Sequence, residues 1–233
     1  MLSSLVKRLF DIVASGIALI VLFPFWIIAI IGIEVSDPGP VFYMANRIGR
    51  ENKPFRMFKF RSMRVDKNAD EKNFKADTNR IFKWGEILRK TKIDELPQLI
   101  NVFVGQMSVI GPRPASADQV AVTRGGRYAV ISELQPGLSG PSALYDYIYG
   151  DQIEDEEEYK EIVLPTRLDL DLYYLKVKNP AYDLKMIWYT LVCIVGLIIK
   201  KFPQWMYDEL VEAAATVAAD DIHVENDTVS YRR

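Results

Sequence analysis

Between Ile12 and Ile33 the chain carries 22 residues without a single charge, and Pro24 stands at their midpoint. A stretch of that length can cross a bilayer as a helix. A proline inside such a helix removes a backbone hydrogen bond and bends it. A cleaved signal peptide does not fit, because the apolar run is too long and no small-residue cleavage site closes it. Lys7 and Arg8 precede the run, and everything after Glu34 reads as cytosolic. A full span would carry those two cations outside, against the positive-inside tendency. The expectation is a re-entrant membrane helix over residues 1–36, kinked at Pro24, with both basic flanks on one face.

The chemistry concentrates further on, in RKTKIDELPQLINVFVGQMSVIGPRP, Arg89 to Pro114. Two adjacent carboxylates, Asp94 and Glu95, follow Arg89, Lys90 and Lys92. Leu96, Leu99, Ile100 and Phe103 recur at helical spacing, and Gly105 supplies a stop. Asp94 is a favoured N-cap type and Pro97 is tolerated only in a first turn, so the acids are expected at a helix start. Backbone N–H groups and positive dipole gather there, which keeps a carboxylate ionised and attracts phosphate. Gly111-Pro112-Arg113-Pro114 then fixes one arginine in a stiff turn. By local pattern alone, ordinary helix punctuation is the simpler account of Asp94 and Glu95. A carboxylate pair, a cluster of cations and a rigid arginine also suit phosphoryl transfer.

Composition narrows the chemistry. The net charge of −2 gives no global basicity for nucleic acid. The single cysteine, Cys193, lies in an apolar run and the single histidine, His223, in a polar tail. That excludes a disulfide framework and disfavours Ser-His or Cys-His nucleophile pairs and a His-ligated zinc site. Carboxylates, cations and a hard metal ion remain.

Val41–Met44 and Phe55–Arg61 read as short strands flanking the turn at Gly49–Asn52. The second interleaves apolar and basic residues, including Lys59 and Arg61. Residues 65–79 read as a polar loop or short exposed helix, 80–90 and 115–134 as helical, and DQIEDEEEYKE as a solvated helix face. Met186–Ile199, about 14 apolar residues before Lys200-Lys201, is short for a span and suits a helix lying along the interface. The tail from 202 carries no chemistry. The fold class expected is mainly α with a small β-hairpin.

Ile93-Asp94-Glu95-Leu96-Pro97-Gln98-Leu99, Asn101-Val102 and Met107–Pro114 together closely resemble the bacterial sugar transferase family, the monotopic polyprenyl-phosphate phosphoglycosyl transferases. Arg47-Ile48-Gly49, Phe58-Lys59-Phe60-Arg61-Ser62-Met63, Gln135–Gly140 and Leu168–Tyr174 with Asn179-Pro180 also match its motifs. The resemblance runs from about Leu5 to Lys201. It implies a catalytic domain over 37–201, leaving 202–233 as a tail, and a re-entrant helix in which Lys7, Arg8, Asp11 and Pro24 anchor the membrane segment. A serine often precedes that proline in the family, where this chain has Phe23. Pro141–Leu144 replaces a usual Leu-Ala-Gln-like run.

The resemblance also implies a reaction. A nucleoside diphosphate sugar, most often a UDP-sugar, would give its sugar phosphate to a polyprenyl phosphate, releasing UMP at the cytosolic face of the bacterial inner membrane. Asp94 would be the nucleophile and a ligand of Mg²⁺ (Mn²⁺ as the alternative), with Glu95 assisting. Arg89, Arg113, Lys59 and Arg61 would hold phosphate, membrane lipid would surround the anchor, and a homodimer stays open. Two other classes compete: a scaffold whose cations bind anionic lipid, and a basic-strand nucleic-acid binder.

Overall fold

The computed structural model describes residues 2–65, 78–153, 155–218 and the short strands 223–225 and 228–230. The loop expected over 65–79 lies almost wholly outside these residues. The architecture is mainly helical with a small antiparallel hairpin.

Helix α1 (Leu2–Val21) and helix α2 (Phe23–Ser36) bend by 58° at Leu22, and Pro24 occupies the first turn of α2. The proline therefore opens the second helix, where its missing N–H is harmless, rather than interrupting one long helix. Strands β1 (Phe42–Ile48) and β2 (Pro54–Phe60) pair antiparallel, with Tyr43 opposite Lys59, Ala45 opposite Met57 and Arg47 opposite Phe55. The hairpin is longer on its first strand than the sequence pattern suggests, because Ala45, Asn46 and Arg47 still find ladder partners. Helix α3 (Lys83–Lys90) follows, starting later than the expected residue 80.

A 3₁₀ turn, Ile93–Glu95, leads through Pro97 into helix α4 (Gln98–Val104). Asp94 is thus not the N-cap of α4; it sits in the turn ahead of it. Gly105, at φ +93°, closes α4 in the left-handed region that favours glycine. Strand β3 (Ser108–Ile110) pairs in parallel with β4 (Gly137–Ser139). Gly111 and Gly137 pass with no room for a Cβ on either, which brings the Pro-Arg-Pro turn against the β4 loop. Between them, 115–134 is not one helix but helix α5 (Val120–Thr123) flanked by 3₁₀ turns at Ala117–Gln119 and Gly126–Glu133.

Helix α6 (Pro141–Ile148) is buried on every side. Helix α7 (Glu156–Glu158) runs through a π-helical turn, Tyr159–Val163, into helix α8 (Leu164–Val177). Helix α9 (Pro180–Ile199) and helix α10 (Gln204–Ala218) complete the helical layer, and β5 (His223–Glu225) pairs with β6 (Thr228–Ser230). At 20 residues α9 is longer than the apolar run alone, and its length and composition would suffice to cross a membrane.

The main core joins α6, α8, α9 and α10 around Leu144, Leu170, Leu172, Tyr174, Met186 and Met206. A second core docks α2 on α3 and β2 through Ala29, Ile33, Phe60, Phe82 and Leu88. The outer faces of α1, α2 and α9 are different. Leu5, Leu9, Ile17, Ile20, Phe23, Ile31, Val35, Trp188, Val195 and Ile199 are all more than half exposed. Monomeric soluble proteins seldom show so continuous an apolar surface.

Candidate active site

The residues around Asp94 come from six separate elements. The 3₁₀ turn supplies Asp94 and Glu95, β2 supplies Lys59, the Pro-Arg-Pro turn supplies Arg113, α6 supplies Asp146 and Tyr147, and the π turn with α8 supplies Tyr159 and Arg167. Lys59, Glu95, Arg113, Asp146, Tyr147, Tyr159 and Arg167 line one cleft.

Glu95 has both oxygens engaged. Lys59 Nζ donates to Oε1 at 3.0 Å and the Tyr147 hydroxyl donates to Oε2 at 3.2 Å. Burial works to raise the Glu95 pKa, but Lys59, Lys92 and Arg113 outweigh it and hold the carboxyl well below its usual range. Asp94 is its opposite. It is only 4% exposed, and Oδ1 has no hydrogen-bond partner. Burial pushes Asp94 above the ordinary aspartate value; Lys59, Arg89 and Lys92 pull back, while Glu95 adds to the push. One acid is clamped and the other is exposed chemically without being exposed to solvent.

The cations are themselves positioned. The Lys92 ammonium lies 3.6 Å from the centre of the Tyr147 ring, a close cation–π contact. Arg113 reaches Asp146 at 3.3 Å. Asp146 in turn accepts from the Tyr159 hydroxyl at 2.8 Å, and that hydroxyl accepts from Arg167 at 2.6 Å. Burial would raise Asp146, yet Arg113 and Arg167 prevail and lower it. Burial pushes the Tyr147 phenol far up, so it serves as a donor.

Of the residues singled out from the sequence, Asp94, Glu95, Lys59, Arg89 and Arg113 are brought together. Arg89, in the last turn of α3, is near enough to bias Asp94 although its guanidinium rests against Met63 at 3.9 Å. Arg61 is not with them. β2 ends at Phe60, and Arg61 turns back to bind Asp37 and the carbonyl of Pro40, stapling the exit of α2.

Lys7, Arg8 and Asp11 also differ from the interfacial anchors expected. Arg8 donates to the carbonyls of Val102 and Phe103, both at 2.7 Å, closing the end of α4. Asp11 is buried and accepts from Ser108 Oγ and the Val109 amide at 3.0 Å. Lys7 pairs with Asp183 at 2.8 Å, which also accepts from Tyr174 at 2.8 Å. These charges tie α1 to α4, β3 and α9.

Sequence reasoning missed Asp146, Tyr147, Tyr159 and Arg167. Two of them sit in α6, whose Pro141 start was the available signal; that the whole helix is buried shows only in the fold. Tyr159 lies within a run that reads as a solvated acidic face, yet it is 3% exposed.

A buried, unpartnered carboxylate oxygen amid fixed cations suits contact with an anionic group. The bacterial sugar transferase family matches residues 2–196, and the chain belongs to it. It is 35% identical over 189 residues to a UDP-glucose:undecaprenyl-phosphate glucose-1-phosphate transferase of Klebsiella pneumoniae, covering 79% of this chain and 39% of that protein. It is 32% identical over 195 residues to a UDP-N-acetylgalactosamine-undecaprenyl-phosphate N-acetylgalactosaminephosphotransferase of Aeromonas hydrophila, covering 82% and 44%. With the exopolysaccharide production protein PSS of Rhizobium leguminosarum bv. phaseoli it shares 34% over 197 residues, covering 80% and 93%. The chain thus spans about two fifths of the Klebsiella and Aeromonas relatives and nearly all of the Rhizobium one.

Proposed function

We propose that this protein transfers a sugar 1-phosphate from a UDP-sugar to undecaprenyl phosphate, releasing UMP, and so starts a surface polysaccharide. The observation that carries the reading is Asp94 Oδ1, buried, without a partner, and surrounded by Lys59, Arg89 and Lys92. The relatives' names supply the substrate class.

In this reading Asp94 attacks the sugar-bearing phosphorus, and the bond to the bridging oxygen breaks as UMP leaves. An oxygen of the lipid phosphate then attacks the same phosphorus and returns Asp94 as a free carboxylate. Glu95 is unsuited to attack because both of its oxygens are held; it fixes Lys59 and Tyr147 around the reacting centre. Arg113, oriented by Asp146, suits bidentate contact with phosphate oxygens. The donor set fits Mg²⁺: Asp94 would hold it, the rest of its shell being substrate phosphate and water, and it would neutralise charge on the diphosphate.

The bend at Leu22 and the exposed apolar faces of α1, α2 and α9 support a protein seated in one leaflet. We place its catalytic layer at the cytosolic face of the inner membrane, with α1–α2 re-entrant. Seated there, a water-soluble donor and a lipid acceptor meet in one plane.

Incubating the purified chain with a panel of UDP-sugars and undecaprenyl phosphate should release UMP with at least one donor. Absence of UMP with every donor would overturn the activity. Omitting the lipid should leave a phosphosugar adduct on Asp94 by intact-protein mass spectrometry, and UMP release that requires lipid, without any adduct, would point to direct transfer. For topology, a cysteine at position 3, with Cys193 replaced, should resist an impermeant thiol reagent in intact cells; labelling would mean a full span.

A further inference from the structure

The cleft has a second end, away from the acids. Its floor is one face of the β1–β2 hairpin, since Lys59, Met57 and Arg47 all line it. Lys59 lies opposite Tyr43, and Arg47 is four residues further along β1. At roughly 3.4 Å per residue that separates the two cations by about 14 Å along the strand. The Ile48 amide donates to the Ala115 carbonyl at 2.8 Å, so Ser116 arrives beside the Arg47 end. The Gln119 amide donates to the Ser116 carbonyl at 3.1 Å, folding Gln119 back to the same place. Ser116 and Gln119 line the cleft with Arg47.

Two buried groups on this cleft have no partner within the protein. Ser116 is 7% exposed and its Oγ is unpaired; Arg167 is 8% exposed and its Nε is unpaired. A buried donor left unsatisfied is costly, so such groups mark where an acceptor belongs. That acceptor need not be anionic. Asp146 already faces Arg113 at 3.3 Å and Arg167 at 3.9 Å, offsetting their charge. Lys59, tied to Glu95, stands at the acid end of the cleft, and Lys92 and Arg89 act on Asp94 there. The distal end offers hydroxyl, amide and guanidinium donors, and a guanidinium plane on which a flat ring can stack.

We propose that Arg47, Ser116 and Gln119 form the nucleoside subsite. Ser116 and Gln119 meet oxygens of the base and ribose, and Arg47 stacks on the base. The inference rests on the transferase reading and adds a direction to it: the donor lies along the hairpin, nucleoside distal, diphosphate at Asp94.

Binding is measured with the full chain in lipid nanodiscs by calorimetry, using UMP, pyrophosphate and glucose 1-phosphate as probes. Ser116→Ala and Gln119→Ala should each weaken UMP about five- to twentyfold, the loss of roughly one hydrogen bond, and leave pyrophosphate within about twofold. Gln119 is half-buried on a short turn, so its variant reports even if Ser116→Ala fails to fold. Equal weakening of UMP and pyrophosphate would make this a phosphate site. Weakened glucose 1-phosphate with unchanged UMP would make it the sugar end. Either result, no effect on any probe, or no UMP binding to the wild type would overturn the proposal. Turnover is assayed separately, so UMP binding lost in these variants would stand even if no UDP-sugar were consumed.

Discussion

The root of α1 and the cleft around Asp94 are made of the same materials, lysines and arginines facing buried aspartates, and they are finished differently. At the root, Asp11 accepts from two donors, Asp183 accepts from Lys7 and Tyr174, and Arg8 donates to two helix-end carbonyls rather than to either acid. In the cleft, Glu95 and Asp146 are equally well tied, yet Ser116 Oγ and Arg167 Nε on its wall, and Asp94 Oδ1 just behind Glu95, are left without partners. A closed network contributes stability and asks for nothing more. An open one carries a standing cost that a bound substrate removes. The contrast separates a structural charge cluster from a functional one without appeal to its residue types.

The largest effect should come from the open network. Asp94→Asn keeps shape and removes charge, so turnover should fall on the order of a thousandfold or more, while the thermal midpoint holds or rises. A variant that unfolds instead would place Asp94 with the structural group.

Asp171 tests the contrast from another side. Its Oδ1 is also unpartnered and, like Asp94, it stands behind the cleft lining, but it sits in α8 rather than next to Glu95. Burial pushes its carboxyl up to about 7, against Arg167, Arg124 and Arg113, which pull it down. Because the folded state binds this proton more tightly than the unfolded chain, stability should fall as pH rises from about 4 to about 7. The loss is bounded by about 4 kcal/mol at about 1.36 kcal/mol per unit. Asp171→Asn should flatten that slope in thermal melts taken at pH 5 and pH 8. An unchanged slope would assign the titration elsewhere.

Arg8→Ala opens the closed network. Two carbonyls at the end of α4 lose a charged donor, which should cost about 2 kcal/mol and lower the melting temperature by roughly 4–8 °C. Turnover per folded molecule should drop far less than in Asp94→Asn. The smallest effect is expected at Lys59→Met, with a rate lower by about tenfold. Lys59 holds the Asp94 pKa down, so its removal should move the acid limb of the pH–rate profile to higher pH. A limb that stays put would mean another group titrates there.

Much of this was legible in the sequence because it is local. The hairpin follows from alternation around Gly49–Asn52, and Asp94, Glu95 and Arg113 lie within one short stretch. The errors come where the chain leaves its local pattern. Lys59 and Arg61 share a parity that would put both on one face, but β2 stops at Phe60 and the alternation stops with it. Asp94 has the right chemistry for an N-cap, but Pro97 can itself take the position before Gln98, which leaves the acids in a separate turn. Asp146 and Tyr147 reach the cleft from about 50 residues away in sequence, through a tertiary contact that no periodicity encodes. The donors at Ser116 and Arg167 declare themselves only as unmet hydrogen bonds, which exist only once neighbours are known.

Arg8 couples α1 to the turn that carries the acids. α4 begins three residues after Glu95, and its far end is gripped by α1, which carries the apolar segment. In the proposed membrane setting this makes α1 a depth gauge. The height at which the apolar segment floats in the leaflet sets, through one rigid strut, how far the reacting carboxylate stands from the plane of lipid phosphates. Bilayer thickness then becomes a variable of the chemistry itself.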